Sequence, residues 1–176
     1  MATNTSKEVI ETRDIYVGAP GATVTITCYM DYESPACAKL NDVLNDVLQL
    51  YPGKVQVNVR HFPMANKHQK AMKAAEAVVA AAQEGLFWPM NNILFKNQKQ
   101  LGTISLKQYA KEIGTTNKRF LDQVINGIYA WQVREDLMEG VDRGVRNVPA
   151  VYVNGKLFEE EITVETLRRV VEENFD

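Results

Sequence analysis

The sequence predicts an α/β fold: one β-sheet packed against helices, with a block of further helices inserted between its strands. Three observations carry this expectation. Residues 23–30 and 54–61 alternate with a period of two, and an amphipathic helical run at 34–51 joins them. A long helix-patterned stretch follows. The chain then returns to β-pattern at 150–158 and closes with one more helical run. With no repeat, low-complexity tract or long linker, this order reads as a single sheet carrying an insert. The expected organisation is a flexible N-terminal arm at 1–12 and one domain at 13–176, with the helical insert at about 64–143.

Bulk properties narrow the function classes. A chain of 176 residues suits one sizeable core. Its 45% apolar and 24% charged content is that of an ordinary globular protein. The net charge of -2, with Lys and Arg scattered, gives no footprint for nucleic acid or an anionic membrane. Two cysteines, Cys28 and Cys37, are too few for a disulfide scaffold, and with His61 and His68 they make no metal-ligand spacing. No metal site is expected. The start is polar, without the apolar core of a secretory leader, and no run is long enough to span a bilayer. The chain as written is expected in the cytoplasm, or in the periplasm or another extracytoplasmic space if a leader has been removed.

Each element has its own signal. Residues 15–17 suggest a short strand ended by Gly18-Ala19-Pro20-Gly21. In 23–30, Val24, Ile26, Cys28 and Met30 take one face and Thr23, Thr25, Thr27 and Tyr29 the other. In 34–51, Leu40, Val43, Leu44, Val47, Leu48 and Tyr51 make an apolar stripe. Asn41, Asp42, Asn45, Asp46 and Gln49 make the wet face. Carried back one turn, the stripe reaches Cys37, which is expected to point inward. Pro52-Gly53 ends this helix. Val55, Val57 and Val59 alternate with Gln56, Asn58 and Arg60, which suggests a strand near the sheet edge with one solvated face. Helices are expected at 67–83 (Ala-rich), 87–97, 105–113 and 117–140, the last interrupted near Gly127. Asn154-Gly155 between 150–153 and 156–158 signals a tight hairpin. Thr163 is placed to cap a final helix carrying Leu167, Val170 and Val171.

The blocks Tyr29-Met30-Asp31-Tyr32-Glu33-Ser34-Pro35-Ala36-Cys37, Arg60-His61-Phe62-Pro63, Phe87-Trp88-Pro89-Met90 with Leu94-Phe95, and Gly144-Val145 with Val148-Pro149-Ala150-Val151-Tyr152-Val153-Asn154-Gly155 stand in a fixed order. Together they resemble the DsbA-like branch of the thioredoxin superfamily. The resemblance implies a thioredoxin-like sheet with an inserted α-helical subdomain. It implies a cis bond before Pro149, packed against the start of the active-site helix. It implies that the backbone at Val148 offers hydrogen bonds to an extended peptide. The implied activity is thiol-disulfide exchange or isomerisation on reduced or unfolded protein substrates, with no resident cofactor and glutathione as a possible co-substrate.

One position departs from that pattern. A redox pair reads Cys-Pro-x-Cys, and here the first position is Ser34. A dithiol cycle needs one sulfur to form the mixed disulfide and a second to resolve it. A hydroxyl neither ionises nor forms a disulfide, so the cycle is blocked at its first step. The catalytic candidates are Cys37 and Ser34; the substrate-binding candidates are Val148 and Pro149. Cys37 lies in the first helical turn, where the helix dipole favours a thiolate, but burial opposes it. Asp31 and Glu33, if close in space, would oppose it too. Ser34 itself admits three readings. It is a helix cap with no chemical role, or a replacement for a native cysteine, or a functional hydroxyl. The last resembles kappa-type glutathione transferases and hydroxychromene-carboxylate isomerases, whose Ser-Pro start holds the glutathione sulfur. Three functions follow: a weak or inactive oxidoreductase, a glutathione-dependent transferase or isomerase, and a redox-silent peptide-binding module. Cys28 is expected in the core, His61 in a structural role at a strand end, and Phe87, Trp88, Met90 and Phe95 in helix packing, some of them rimming a substrate groove.

Overall fold

The computed structural model describes residues 8–176, and the elements follow from local signals. Strands β1 (Val17–Gly18), β2 (Val24–Met30), β3 (Val55–His61), β4 (Ala150–Val153) and β5 (Lys156–Phe158) form one sheet in the order β1-β3-β2-β4-β5. Helix α1 (Pro35–Leu50) crosses from β2 to β3, which pair in parallel from Val24↔Val55 to Met30↔His61. All other pairings are antiparallel. Between β3 and β4 lie α2 (Ala71–Ala82), α3 (Phe87–Lys96), α4 (Thr103–Glu112), α5 (Phe120–Ile125) and α6 (Ala130–Asp142); α7 (Val164–Glu173) closes the chain. This is the thioredoxin-like sheet with a helical block that the resemblance implies. Among the described residues no helix is long and apolar enough to cross a membrane.

β2 sits at the centre because both of its faces are covered. Val24, Ile26, Cys28 and Met30 pack into the main core with Leu40, Leu44 and Val47 of α1 and with Met90 and Leu94 of α3. On the opposite face Tyr29 meets Phe62, Val145 and Tyr152 in a second cluster. Gly140 of α6 comes so close there that a Cβ would stand 2.7 Å from the Phe62 ring. The hairpin β4–β5 turns at Asn154 (φ 47) and Gly155 (φ 81), two successive left-handed residues that match strand twist. Thr163 and Thr166 cap α7 reciprocally, each side chain accepting the other residue's backbone N–H.

Several expectations require correction. Residues 1–7 of the expected arm lie outside the described residues, but its remainder is docked. The Ile10 N–H donates to Gln83 (2.9 Å), and Thr12 is fully buried with its hydroxyl on Asp136. The short strand at 15–17 reduces to Val17–Gly18, where Gly18 (φ 110) passes against the Val55 carbonyl with no room for a Cβ. β3 does lie near the sheet edge, beside the two-residue β1, but its second face is not solvated. Its polar face is covered by the Thr12–Asp14 turn and α6. Asn58 donates to the Thr12 and Ile15 carbonyls, and Arg60 is buried against Asp136 and Glu139. Asn41 is not on a wet face either. It is 3% exposed and donates to Asn92 while accepting from Asn91. The Ala-rich helix starts at Ala71 and is buried nearly all round, because small side chains admit neighbours on every side.

Candidate active site

The site is built where β2 hands the chain to α1. Ser34 holds an extended conformation (φ -79, ψ 120) and caps the helix, its Oγ accepting the Cys37 N–H at 3.2 Å, with Pro35 at the first helical position. Cys37 faces the core at 0% exposure, and its Sγ accepts the Asp31 N–H at 3.4 Å. Burial pushes the Cys37 thiol up to about 11, against the lowering effect of hydrogen bonds from the Ser34 hydroxyl and the Asp31 backbone; the Asp31 charge adds to the rise. The sulfur is therefore a protonated thiol at neutral pH. Glu33 is not among the charges that raise its pKa; the Glu33 carboxylate accepts the Lys70 N–H at 2.9 Å.

Asp31 organises the loop in front of the helix. One carboxylate oxygen accepts the Glu33 N–H (2.7 Å). The other accepts the Met64 N–H (2.8 Å) and lies 2.8 Å from His68 Nδ1. From the opposite side the Gln98 amide donates to the carbonyls of Tyr32 (2.9 Å) and Ser34 (2.8 Å). Sequence reasoning missed His68 and Gln98. They lie 37 and 64 residues from their partners, and no spacing signal joins them.

His61 is fully buried, its Nε2 3.0 Å from the Tyr32 hydroxyl, which itself donates to Asn91. Burial first, then the Arg60 charge, lowers its pKa to about 3. It is thus neutral and structural, not a base. With the Tyr32 proton given to Asn91, His61 carries its own proton on Nε2. Its Nδ1 is left without a hydrogen-bond partner. Cys28 is fully buried in the core, its thiol pushed upward by burial and by neighbouring Cys37, and the two cysteines are not bridged. Phe87, Met90 and Phe95 are core residues; Trp88 is half-buried and donates to Asn45 at 3.1 Å.

The Val148–Pro149 peptide bond is cis. The β2–β4 ladder ends at Tyr29↔Ala150, so Pro149 and Val148 stand just beyond its last pair, at the end of β2 that leads into α1. The structure thus brings Ser34, Cys37, Val148 and Pro149 to one end of the sheet. Val148 is half-buried, and among the described residues its backbone takes no part in the hydrogen bonds of turns, loops and caps. Among the described residues no group of three or more His, Cys, Asp or Glu side chains is placed to hold a metal ion.

A strand–turn–helix site of this kind, on a sheet with an inserted helical block, defines a thioredoxin-fold protein. A model of the family described as Thioredoxin matches residues 11–173, and the chain belongs to that family. Its fold is similar to the solved structure of oxidised BdbD from Bacillus subtilis (TM-score 0.83, 20% identity, 91% of each chain). It is also similar to the thiol-disulfide exchange protein alpha-DsbA2 from Wolbachia pipientis (0.78, 18% identity, 90% of this chain and 85% of the other). A periplasmic thioredoxin-like protein from Salmonella enterica serovar Typhimurium follows (0.76, 23% identity, 91% and 88%). The curated relatives include Na(+)/H(+) antiporter NhaA 3 of Salinispora tropica, 30% identical over 159 residues. That alignment covers 90% of this chain and 24% of the antiporter. The NhaA of Herminiimonas arsenicoxydans is 29% identical over 155 residues, 88% of this chain and 24% of its own. The chain thus spans about a quarter of the length of the curated relatives it matches.

Proposed function

We propose that the chain is a thiol-disulfide oxidoreductase of DsbA-like type, directed at extended protein substrates, whose dithiol exchange is weak or absent as the sequence stands. The observation that carries this reading is the pairing at the helix start. Ser34 fills the outer position as a cap, and the only sulfur left at the site, Cys37, is buried and protonated. A substrate thiolate has no enzyme disulfide to attack. The Cys37 thiol lacks both the exposure and the ionisation that exchange requires. No resident cofactor enters the reading, because sulfur carries both electrons.

The test is Ser34→Cys, oxidised with diamide so that the introduced sulfur and Cys37 form a disulfide. A thiolate of a reduced protein attacks the introduced sulfur, and Cys37 leaves and is protonated. The second substrate thiol attacks the resulting mixed disulfide and releases the introduced sulfur. Two electrons thereby pass from substrate to enzyme. Reduced, unfolded ribonuclease should regain its disulfides with this variant and not with the unmodified chain. A folded, oxidised variant with no such gain would count against the oxidoreductase reading.

A second reading, a redox-silent peptide-binding module, is favoured by the Val148 backbone at the sheet end and by the missing outer sulfur. It expects peptide binding that is indifferent to blocking Cys37. The glutathione reading has less support. The Ser34 residue is only 6% exposed, and its oxygen already accepts the Cys37 N–H.

A further inference from the structure

Helix α6 turns Gln132, Val133, Asp136 and Gly140 inward. Its outer face is covered by nothing among the described residues, and it is apolar. Trp131, Met138 and Val141, with Ile128 in the turn before the helix, range from 38% (Trp131) to 56% (Met138) exposed. Between them stand Arg134 and Glu135. Both are exposed, and neither makes an ion pair among the described residues. Trp131, Arg134, Glu135 and Met138 line one open cleft of about 480 Å³ with Glu139 and Asp142. Single exposed hydrophobic residues are ordinary on a protein surface; a continuous row of them on one helix face marks an interaction site.

The order of the side chains selects the partner. Ile128, Trp131, Arg134, Glu135, Met138 and Val141 read apolar, apolar, charged, charged, apolar, apolar from either end. The steps between them are three, three, one, three and three residues, the same in both directions. Two copies laid antiparallel about a two-fold axis between positions 134 and 135 therefore set Ile128 against Val141, Trp131 against Met138 and Arg134 against Glu135. Each contact occurs twice, as a two-fold interface requires. Helical spacing alone gives no such symmetry; it comes from the residue type at each step. A thioether against an indole is a favourable contact, and Trp and Arg are frequent anchors of interfaces. A parallel in-register pair would put Arg134 on Arg134 and Glu135 on Glu135, like on like, which disfavours that arrangement. A partner of another sequence would need no mirror order. An anionic bilayer fits poorly, because Glu135, Glu139 and Asp142 line the cleft against one arginine.

We propose that the outer face of α6 is a homodimerisation surface, occupied by α6 of a second copy of this chain in the antiparallel, two-fold arrangement. None of the six residues belongs to the Ser34–Pro149 site, so the proposal stands apart from the redox reading. A face about 20 Å long and about 10 Å wide is smaller than the roughly 800 Å² per partner of a standard complex. The pair is therefore weak and reversible, with a dissociation constant on the order of 100 µM.

The test is sedimentation equilibrium of the full chain from about 10 µM to about 1 mM, a range that brackets such a constant. The mass should rise from 19.9 kDa toward twice that. Met138→Glu sets a charge against Trp131 and should weaken pairing at least about tenfold. Arg134→Glu and Glu135→Arg should each do the same, because each turns both central contacts into like-charge pairs. All three positions are exposed, so the variants should keep the Tm of the unmodified chain. An equimolar mixture of the Arg134→Glu chain with the Glu135→Arg chain brings opposite charges back to both contacts. That mixture should dimerise where neither variant does alone. A chain that stays monomeric at every concentration overturns the proposal. So does a dimer that Met138→Glu and the charge reversals leave intact, or a mixture that stays monomeric while the unmodified chain pairs. Binding of the monomer to phosphatidylcholine/phosphatidylglycerol vesicles, lost in Trp131→Ser, would assign the face to a membrane and also overturn it.

Discussion

The buried Cys37 thiol makes the stability of the protein depend on alkaline pH, with a sign and size that the site fixes. Its pKa rises from an ordinary value of about 9 to about 11 in the folded chain. Between those values the unfolded chain has released the proton and the folded chain has kept it, so stability falls as pH rises. The contribution is intact below about pH 9 and is lost progressively toward pH 11. A rise of that size corresponds to about 2.7 kcal/mol, of which about 2 kcal/mol is gone by about pH 10.5. Cys28 is raised in the same direction, so the Cys37 share must be isolated. Urea unfolding of the unmodified chain and of Cys37→Ala, followed by circular dichroism at about pH 7.5, 9 and 10.5, does this. The unmodified chain should be the more stable at about pH 7.5, because the variant leaves a small cavity. That advantage should shrink by about 2 kcal/mol at about pH 10.5. A gap that stays constant to within about 0.5 kcal/mol would show that the sulfur is not a desolvated thiol, and the account of a quiet Cys37 would fail with it.

Four further outcomes are expected. Ser34→Ala removes the cap of α1 and should cost about 1 kcal/mol in urea unfolding; it also removes a hydrogen bond that lowers the Cys37 pKa, so alkylation of Cys37 should shift to higher pH. Gly140→Ala drives a Cβ to 2.7 Å from the Phe62 ring and 3.0 Å from Tyr29, and should cost about 1–3 kcal/mol with a lowered Tm. Asp136→Ala leaves Arg60 without its buried partner and strips Thr12 and the His61 N–H of their acceptor; a loss of about 3–5 kcal/mol is expected. His61, lowered to about 3, binds a proton in the unfolded chain below its ordinary value of about 6.5 but not in the folded chain. Stability should therefore fall as pH drops from about 6.5 toward 3, and His61→Phe should flatten that acid limb in thermal melts.

The sequence by itself determined what depends on neighbours along the chain. The alternation in 23–30 gave β2 and its two faces. The Ser34-Pro35 pair gave the start of α1, and Asn154-Gly155 gave the hairpin. Thr163 gave the cap of α7, and the backward extension of the α1 stripe put Cys37 inside. Each rests on backbone sterics or on a period of two to four residues, which a local window contains. Tertiary structure alone decided which polar residues are buried. Arg60, Asn58 and Asn41 look solvated by period. They are enclosed because Asp136, Thr12, Asn91 and Asn92 arrive from 46 to 76 residues away and satisfy their hydrogen bonds. The same holds for His68 on Asp31 and Gln98 on the Ser34 carbonyl. Desolvating a polar group is tolerated only where a partner stands ready, and a partner's position is a property of the folded chain, not of the spacing around the group itself.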